Sequence, residues 1–156
     1  EKQLKFMVKN GYHFSYTGRD FINEASDPLG KYVTGPKHIT KIGMYCFCWV
    51  GCLSVMYDAE KIGLIQIADI KKNNDYAIWL KAIKKADCYL LNENLARYRV
   101  RKGSISNNSY WKLIKWHYKL FHDADGKNAL VSALLTLNNL IWGVWKKVYY
   151  TKNIEI

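Results

Sequence analysis

The first ten residues carry Leu4, Met7 and Val8 at helical spacing and stop at Asn10-Gly11, a pair that closes helices because glycine enters the left-handed backbone region freely. The next stretch, YHFSYTGRDFINE, alternates aromatic and polar residues and predicts one or two strands, followed by the turn-rich ASDPLG. The apolar run at 39–50 has an ambiguous period; it fits a helix or a buried strand, and we read it as a helix. CLSVMYD (52–58) predicts a strand, and AEKIG after it a single helical turn closed by Gly63. Residues 75–86 predict an amphipathic helix, with Tyr76, Trp79, Leu80 and Ile83 on one face and Lys81, Lys84 and Lys85 largely away from it. CYLLNENLARYRV predicts a strand with a turn near Asn92. From Asn108 the pattern is helical almost to the end, broken only around Asp125-Gly126. There is no internal repeat and no low-complexity linker. Such a mixture followed by a helical tail points to an α/β or α+β domain, a class that fixes no chemistry by itself.

Composition narrows the picture. The 156 residues, 49% hydrophobic and 15% aromatic, suffice for one compact domain with a substantial core. A formal charge of +11, from 24 Lys and Arg against 13 Asp and Glu, suits an anionic partner: nucleic acid, a phosphorylated ligand or an acidic membrane surface. Of four cysteines, Cys46, Cys48 and Cys52 cluster in an apolar run whose spacing matches neither a zinc site nor a disulfide framework. They read as buried reduced thiols in a cytoplasmic setting. The opening EKQLKFMVKNG has no signal peptide and no initiating Met, so the chain reads as cut from a longer protein.

Two constellations carry candidate chemistry. Asp75 follows two Asn at the mouth of the predicted 75–86 helix, where Asn74 or Asp75 can cap the first free N–H groups. The same placement keeps a carboxylate ionised, since those N–H groups favour negative charge, and Trp79 lies one turn on along the same side. An ionised carboxylate beside an aromatic platform suits sugar binding and deprotonation of a hydroxyl. In ARYRVRKGSIS, Arg97, Arg99 and Arg101 alternate along a strand and share a face ahead of a Gly103-Ser104 turn. That row is either a solvated face or an anion cradle, to which Ser104 and Ser106 add hydrogen bonds.

CLSVMYDAEKIG, IKKNNDYAIWLKAIKK and LARYRVRKGSIS, in this order and spacing, resemble the second half of the catalytic domain of family 2 bacterial glycosyltransferases with the GT-A fold. FSYTGRDFINE fits the strand pair that follows the family's metal-binding strand. The likeness covers roughly residues 1–107, the acceptor-side half, and leaves 108–156 as a C-terminal helical extension. It implies a partial GT-A-like α/β domain and inverting transfer of a sugar from a nucleotide diphosphate donor to a glycan or lipid-linked acceptor hydroxyl, in bacterial surface polysaccharide synthesis. On it, Asp75 falls on the general base, Trp79 on an aromatic that lines the acceptor pocket or packs, and Arg97, Arg99, Arg101 and Ser104 on the segment near the donor phosphates. Where many relatives have Tyr-Arg-x-His, with the His near the metal, this chain has Tyr98-Arg99-Val100-Arg101; Arg101 cannot bind a cation but can offset charge on a leaving diphosphate. The family's nucleotide-binding half and Asp-x-Asp motif would precede residue 1. No metal ligand is therefore assigned in this chain, Mg or Mn dependence is expected of the parent enzyme, and the isolated chain is expected to be inactive.

The rival reading is a basic nucleic-acid- or membrane-binding module without catalysis, since YWKLIKWHYKLFH (110–122) interleaves bases with aromatics. Lys112, Lys115 and Lys119 fall at helical spacing opposite much of the apolar content, which fits an amphipathic helix better, and no nucleic-acid motif accompanies them. The segment 128–150 is apolar enough for a membrane span but interrupted by Asn138 and Asn139. We expect an interfacial helix: Leu134, Leu135, Leu137, Ile141, Trp142, Trp145 and Tyr149 form its apolar side, and Lys146, Lys147 and Lys152 meet anionic headgroups. The alternative is packing on the domain or on a second copy in a homodimer. An anchor would place the enzyme peripherally at the inner face of the cell membrane.

Overall fold

The computed structural model describes residues 1–101 and 110–153, so the predicted role of Ser104 lies outside the described residues. Helix α1 (Lys2–Asn10) ends at Gly11, which has φ 67° and turns the chain into strand β1 (Phe14–Ile22). That strand organises the sheet. It pairs in parallel with β5 (Cys88–Arg99) on one edge, while its other edge takes β4 (Val55–Tyr57) along its first half and β2 (Pro28–Val33) along its second, both antiparallel. Beyond β5 lies the short β3 (His38–Ile39), and beyond β2 lies β6 (Thr151–Asn153), giving the order β3-β5-β1-β2-β6 with β4 off the path. The protein is thus a mixed α/β domain with a C-terminal helical extension, consistent with part of a GT-A-like domain.

Several local expectations change in the fold. YHFSYTGRDFINE forms one strand, because β1 runs unbroken to Ile22 before the Asn23–Asp27 turn, where the Asn23 side chain accepts from the Asp27 N–H at 2.9 Å. Residues 39–50 yield only a six-residue helix, α2 (Lys41–Cys46), capped by the Thr40 hydroxyl, and then irregular chain. A 3-10 turn at Cys52–Ser54 takes the first half of the predicted 52–58 strand. The expected reversal near Asn92 is a bulge. Thr17 pairs with Leu91 and the next residue, Gly18, with Asn94, so Asn92 and Glu93 loop out while β5 continues. Tyr32 packs its hydroxyl so closely over Gly18 that a Cβ there would lie 2.0 Å from it, which is why a side chain is missing at this point of β1.

Helices α3 (Ala59–Ile62), capped by Asp58 and closed by Gly63, and α4 (Asn74–Ala82) follow the pattern read from sequence. Tyr76, Trp79, Leu80 and Ile83 are all buried, joining Phe14, Tyr16, Ile39 and Met44 in one core. The extension consists of α5 (Tyr110–Lys119), a π-helical turn (Leu120–Ala124) and α6 (Ala129–Tyr149). It supplies Leu120 and Phe121 to the same core. Asp125, at the break between the helices, accepts from Tyr45 Oη at 2.6 Å and from Lys84 Nζ, so the bend is tied to α2 and to the turn after α4.

The most deeply placed polar network joins three helices. Tyr76 Oη donates to the Met44 carbonyl at 2.7 Å and accepts from Asn139 Nδ2 at 2.8 Å, linking α4, α2 and α6. All of it is dry, so each partner left single pays its full desolvation penalty. Tyr76→Phe removes both bonds with almost no change of shape; we expect a loss of about 1–3 kcal/mol of stability, read as a lower urea midpoint with an unchanged slope.

Candidate functional site

Asp75 sits in the first turn of α4, and the helix enters it through an unusual residue. Asn73 has φ 59°, a left-handed conformation that Asn tolerates better than most side chains, and its side chain does not cap. Capping falls to the next two residues instead: Asn74 Oδ1 accepts the Asp75 N–H and Asp75 Oδ1 accepts the Tyr76 N–H, both at 2.9 Å. Asp75 is half-buried, and among the described residues its second carboxylate oxygen makes no hydrogen bond. The following residue, Tyr76, is the hub of the interhelical network, so the carboxylate is mounted on the best-anchored turn of the helix. A carboxylate oxygen without a partner can accept a further hydrogen bond or proton.

The irregular segment 47–54 forms the wall beside Asp75. Burial first, and the Asp75 charge second, push the Cys48 thiol up to about 12; the same two causes, in the same order, raise Cys52. Both cysteines are therefore thiols at neutral pH. Cys88 is buried, as read from sequence, but Cys46 and Cys48 are only half-buried and Cys52 is exposed, because the 3-10 turn rotates it outward.

Two cations lie against the same segment, Lys146, which the sequence reading placed elsewhere, and Arg19, which it passed over. Lys146, from α6, donates to the carbonyls of Cys48 at 3.2 Å and Trp49 at 2.9 Å and lies 5.1 Å over the Phe47 ring. Burial, then the neighbouring Arg19 charge, bring its pKa down to about 8, partly offset by Cys48. Arg19, from β1, rests its guanidinium on Gly51, where a Cβ would lie 2.3 Å from Nη1. Burial holds its pKa below the usual arginine range. Lys146 had been expected at a membrane surface, yet it faces inward. Only tertiary packing reveals that either cation is buried, since Lys146 stands beside the exposed Lys147 and a lone Arg in a strand carries no motif.

The β5 arginines divide. Arg97 pairs with Asp20, Nε to Oδ2 at 3.5 Å, on an exposed edge beside Arg19. Arg99 Nη1 faces the Asn23 and Glu24 carbonyls, at 3.1 and 2.8 Å, and Ser26 Oγ at 3.0 Å, so it clamps the β1–β2 turn. Arg101 is exposed beyond the end of β5; the strand stops at Arg99, so the three do not form one row on a strand face. Trp79 is 5% exposed with its ring 5.9 Å from Phe14, and its indole N–H is buried without a partner. Its ring packs in the core.

Asp20 Oδ1 is likewise buried without a partner. One such oxygen is far fewer donors than a divalent cation takes, and among the described residues no three His, Cys, Asp or Glu converge on a metal position.

The charge around 47–54 makes a pH prediction. Because the Cys48 thiol is raised from 9.0 to about 12 on folding, the folded state keeps a proton the unfolded chain releases; the stability this contributes is full below pH 9 and is lost as pH rises toward 12. Urea midpoints of wild type and Cys48→Ala should therefore converge or cross in favour of the variant between pH 8 and pH 11, whereas parallel profiles would mean that this thiol ionises freely.

No family model matches the chain. Its similarity to curated proteins is clear. It is 36% identical over 126 residues, 80% of the chain, to TuaG of Bacillus subtilis, named as a teichuronic acid biosynthesis glycosyltransferase. It is 30% identical over 155 residues, 98% of the chain, to the Escherichia coli UDP-Glc:alpha-D-GlcNAc-diphosphoundecaprenol beta-1,3-glucosyltransferase WfgD. A second Escherichia coli enzyme with the same activity in its name, WfaP, is 30% identical over 115 residues, 72% of the chain. The match takes in 50%, 59% and 44% of these three proteins, so the chain spans about half the length of the curated relatives it matches. Its homologues are glycosyltransferases of polysaccharide and lipid-linked glycan synthesis.

Proposed function

We propose that this chain is the acceptor-side part of an inverting, family 2 glycosyltransferase of GT-A fold, which moves a sugar from a nucleotide diphosphate donor to a hydroxyl of a lipid-linked glycan. The observation that carries the reading is the Asp75 carboxylate, mounted on the anchored first turn of α4 with one oxygen engaged and the other open. In the reaction Asp75 accepts the proton of the acceptor hydroxyl as that oxygen bonds to the anomeric carbon. The bond from this carbon to the diphosphate breaks on the opposite face, and the nucleoside diphosphate leaves with the electron pair. Attack and departure on opposite faces invert the anomeric centre.

The leaving group is an anion, and the surroundings of the site suit it. Arg19 and Lys146 make the 47–51 wall cationic, while Arg97 pairs with Asp20 across the β1–β5 register and Arg101 is exposed beyond the end of β5. Such donors lower the cost of developing negative charge where water is excluded. Arg99 supports the turn rather than the ligand. The names of WfgD and WfaP, with a nucleotide-linked glucose and a diphosphoundecaprenol acceptor, support the same substrate classes here. An enzyme using a nucleotide sugar and a lipid-linked acceptor works peripherally at the inner face of the cell membrane.

Two outcomes follow in the active enzyme. Asp75→Asn retains the capping acceptor and removes the base, so kcat should fall about 10² to 10⁴-fold with donor affinity nearly unchanged; near-normal turnover would remove Asp75 from the chemistry. Arg101→Ala should raise the donor KM or lower kcat while leaving the urea midpoint in place, whereas Arg99→Ala should lower the midpoint because the β1–β2 turn loses its clamp; identical donor kinetics in wild type and Arg101→Ala would sink the diphosphate role.

A further inference from the structure

Helix α6 is built inside out. Its inward face carries Ser132, Thr136 and Asn139, all buried, and Gly143, which admits the Phe47 ring at 3.1 Å from a would-be Cβ. The hydroxyls are satisfied within the helix, Ser132 Oγ donating to the Asn128 carbonyl at 2.9 Å and Thr136 Oγ1 to the Ser132 carbonyl at 2.7 Å, while Asn139 reaches Tyr76. The outward face carries Leu130, Leu134, Leu137, Ile141, Val144 and Val148, each between 58% and 71% exposed. These positions step by 4, 3, 4, 3 and 4, so they form one unbroken stripe along the whole helix. No charged residue occurs from 129 to 145. Leu135 and Trp142, expected on this side, turn inward against the core.

The stripe does not end at α6. A groove of about 720 Å³ between α5 and α6 is lined by Ile114, Tyr118, Ala133, Leu137 and Leu140, and Trp111, 81% exposed, extends the apolar surface along α5. Thr136, Lys115, Lys119, His122 and Asp123 also line it, Asp123 paired with Lys119, and Lys112 on α5 and Lys147 on α6 are exposed. An apolar surface spanning two helices is far more than a monomer leaves to water without a partner.

We infer that this α5–α6 face seats on the surface of an anionic lipid bilayer. Charge complementarity selects that occupant over a second copy. A two-helix seam is one stripe wide and flanked by paired opposite charges, whereas here the flanks are Ala133, Leu140 and Trp145 and the rim is basic on a chain of net charge +11. Two copies would set like charges against each other; phosphate headgroups neutralise them while the aliphatic and indole side chains enter the acyl boundary. Among the described residues no helix is long and apolar enough to cross a membrane, so α6 lies in the plane of the interface. The polar inward face is then the face that belongs to protein. This surface would bring the site to a membrane-resident acceptor, and in that it rests on the proposed function, but its binding is read without catalysis.

The test is co-sedimentation of the full chain with phosphatidylcholine vesicles, with and without phosphatidylglycerol, at low and high salt. The chain should pellet with the anionic vesicles and be released by salt. Leu137→Glu with Ile141→Glu should weaken binding about tenfold or more, and Lys147→Gln about fivefold. Leu64→Glu, at a site 92% exposed elsewhere, should bind as wild type, with circular dichroism confirming the fold of each variant. Failure of wild type to bind anionic vesicles, or equal binding to neutral ones, overturns the inference. A dimer in sedimentation equilibrium that ignores vesicles and is dissociated by the Leu137→Glu and Ile141→Glu pair would give the face to a second copy.

Discussion

A single phenol holds this structure to its function. Tyr76 Oη, between the Met44 carbonyl and Asn139 Nδ2, is the point at which the sheet-packed helices and the C-terminal extension become one body. The residue before it is Asp75. A carboxylate next to a fully satisfied, buried hydroxyl cannot drift without breaking bonds that water is unable to replace, and this is the kind of support a general base requires. The same network explains an amide in the middle of an apolar helix: Asn139 is there because it has a partner in α4, and its position dictates which side of α6 faces protein.

That orientation has a second consequence. With Asn139, Ser132 and Thr136 turned inward, every outward position of the stripe is aliphatic, and the helix that ties the extension to the site is also the one that leaves an apolar surface on the outside. Lys146, two turns after Asn139, faces the Cys48 and Trp49 carbonyls and not the solvent, so one helix supplies both a cation to the wall of the site and the apolar surface outside. Arg19 meets the same wall from the sheet. The site thus draws a carboxylate from α4, cations from β1 and α6, and thiols from the irregular segment between α2 and β4.

What could be read from sequence was what short-range physics decides. The α1 stop at Gly11, the α3 turn closed by Gly63, the buried face of α4 and the place of Asp75 at its mouth all follow from local spacing and capping chemistry. What escaped was set by distant partners. Strand β6 is three residues long and exists because it pairs with β2, more than a hundred residues earlier. Asn92 suggested a reversal, but pairing with β1 on both sides of Gly18 overrode that preference and turned it into a bulge. Arg99 looked like one of three equivalent arginines until the β1–β2 turn came within its reach. Arg19 was silent and Lys146 was read as facing outward, because burial of a cation is a property of the packed molecule.

In the proposed reaction Asp75 removes the acceptor proton, and turnover of an Asp75→Ala enzyme with formate added as an external carboxylate tests that role. The variant should be nearly inactive alone and its rate should rise with formate concentration, while chloride at equal ionic strength does nothing. An Asp75→Ala enzyme that transfers sugar at the wild-type rate without formate would contradict it.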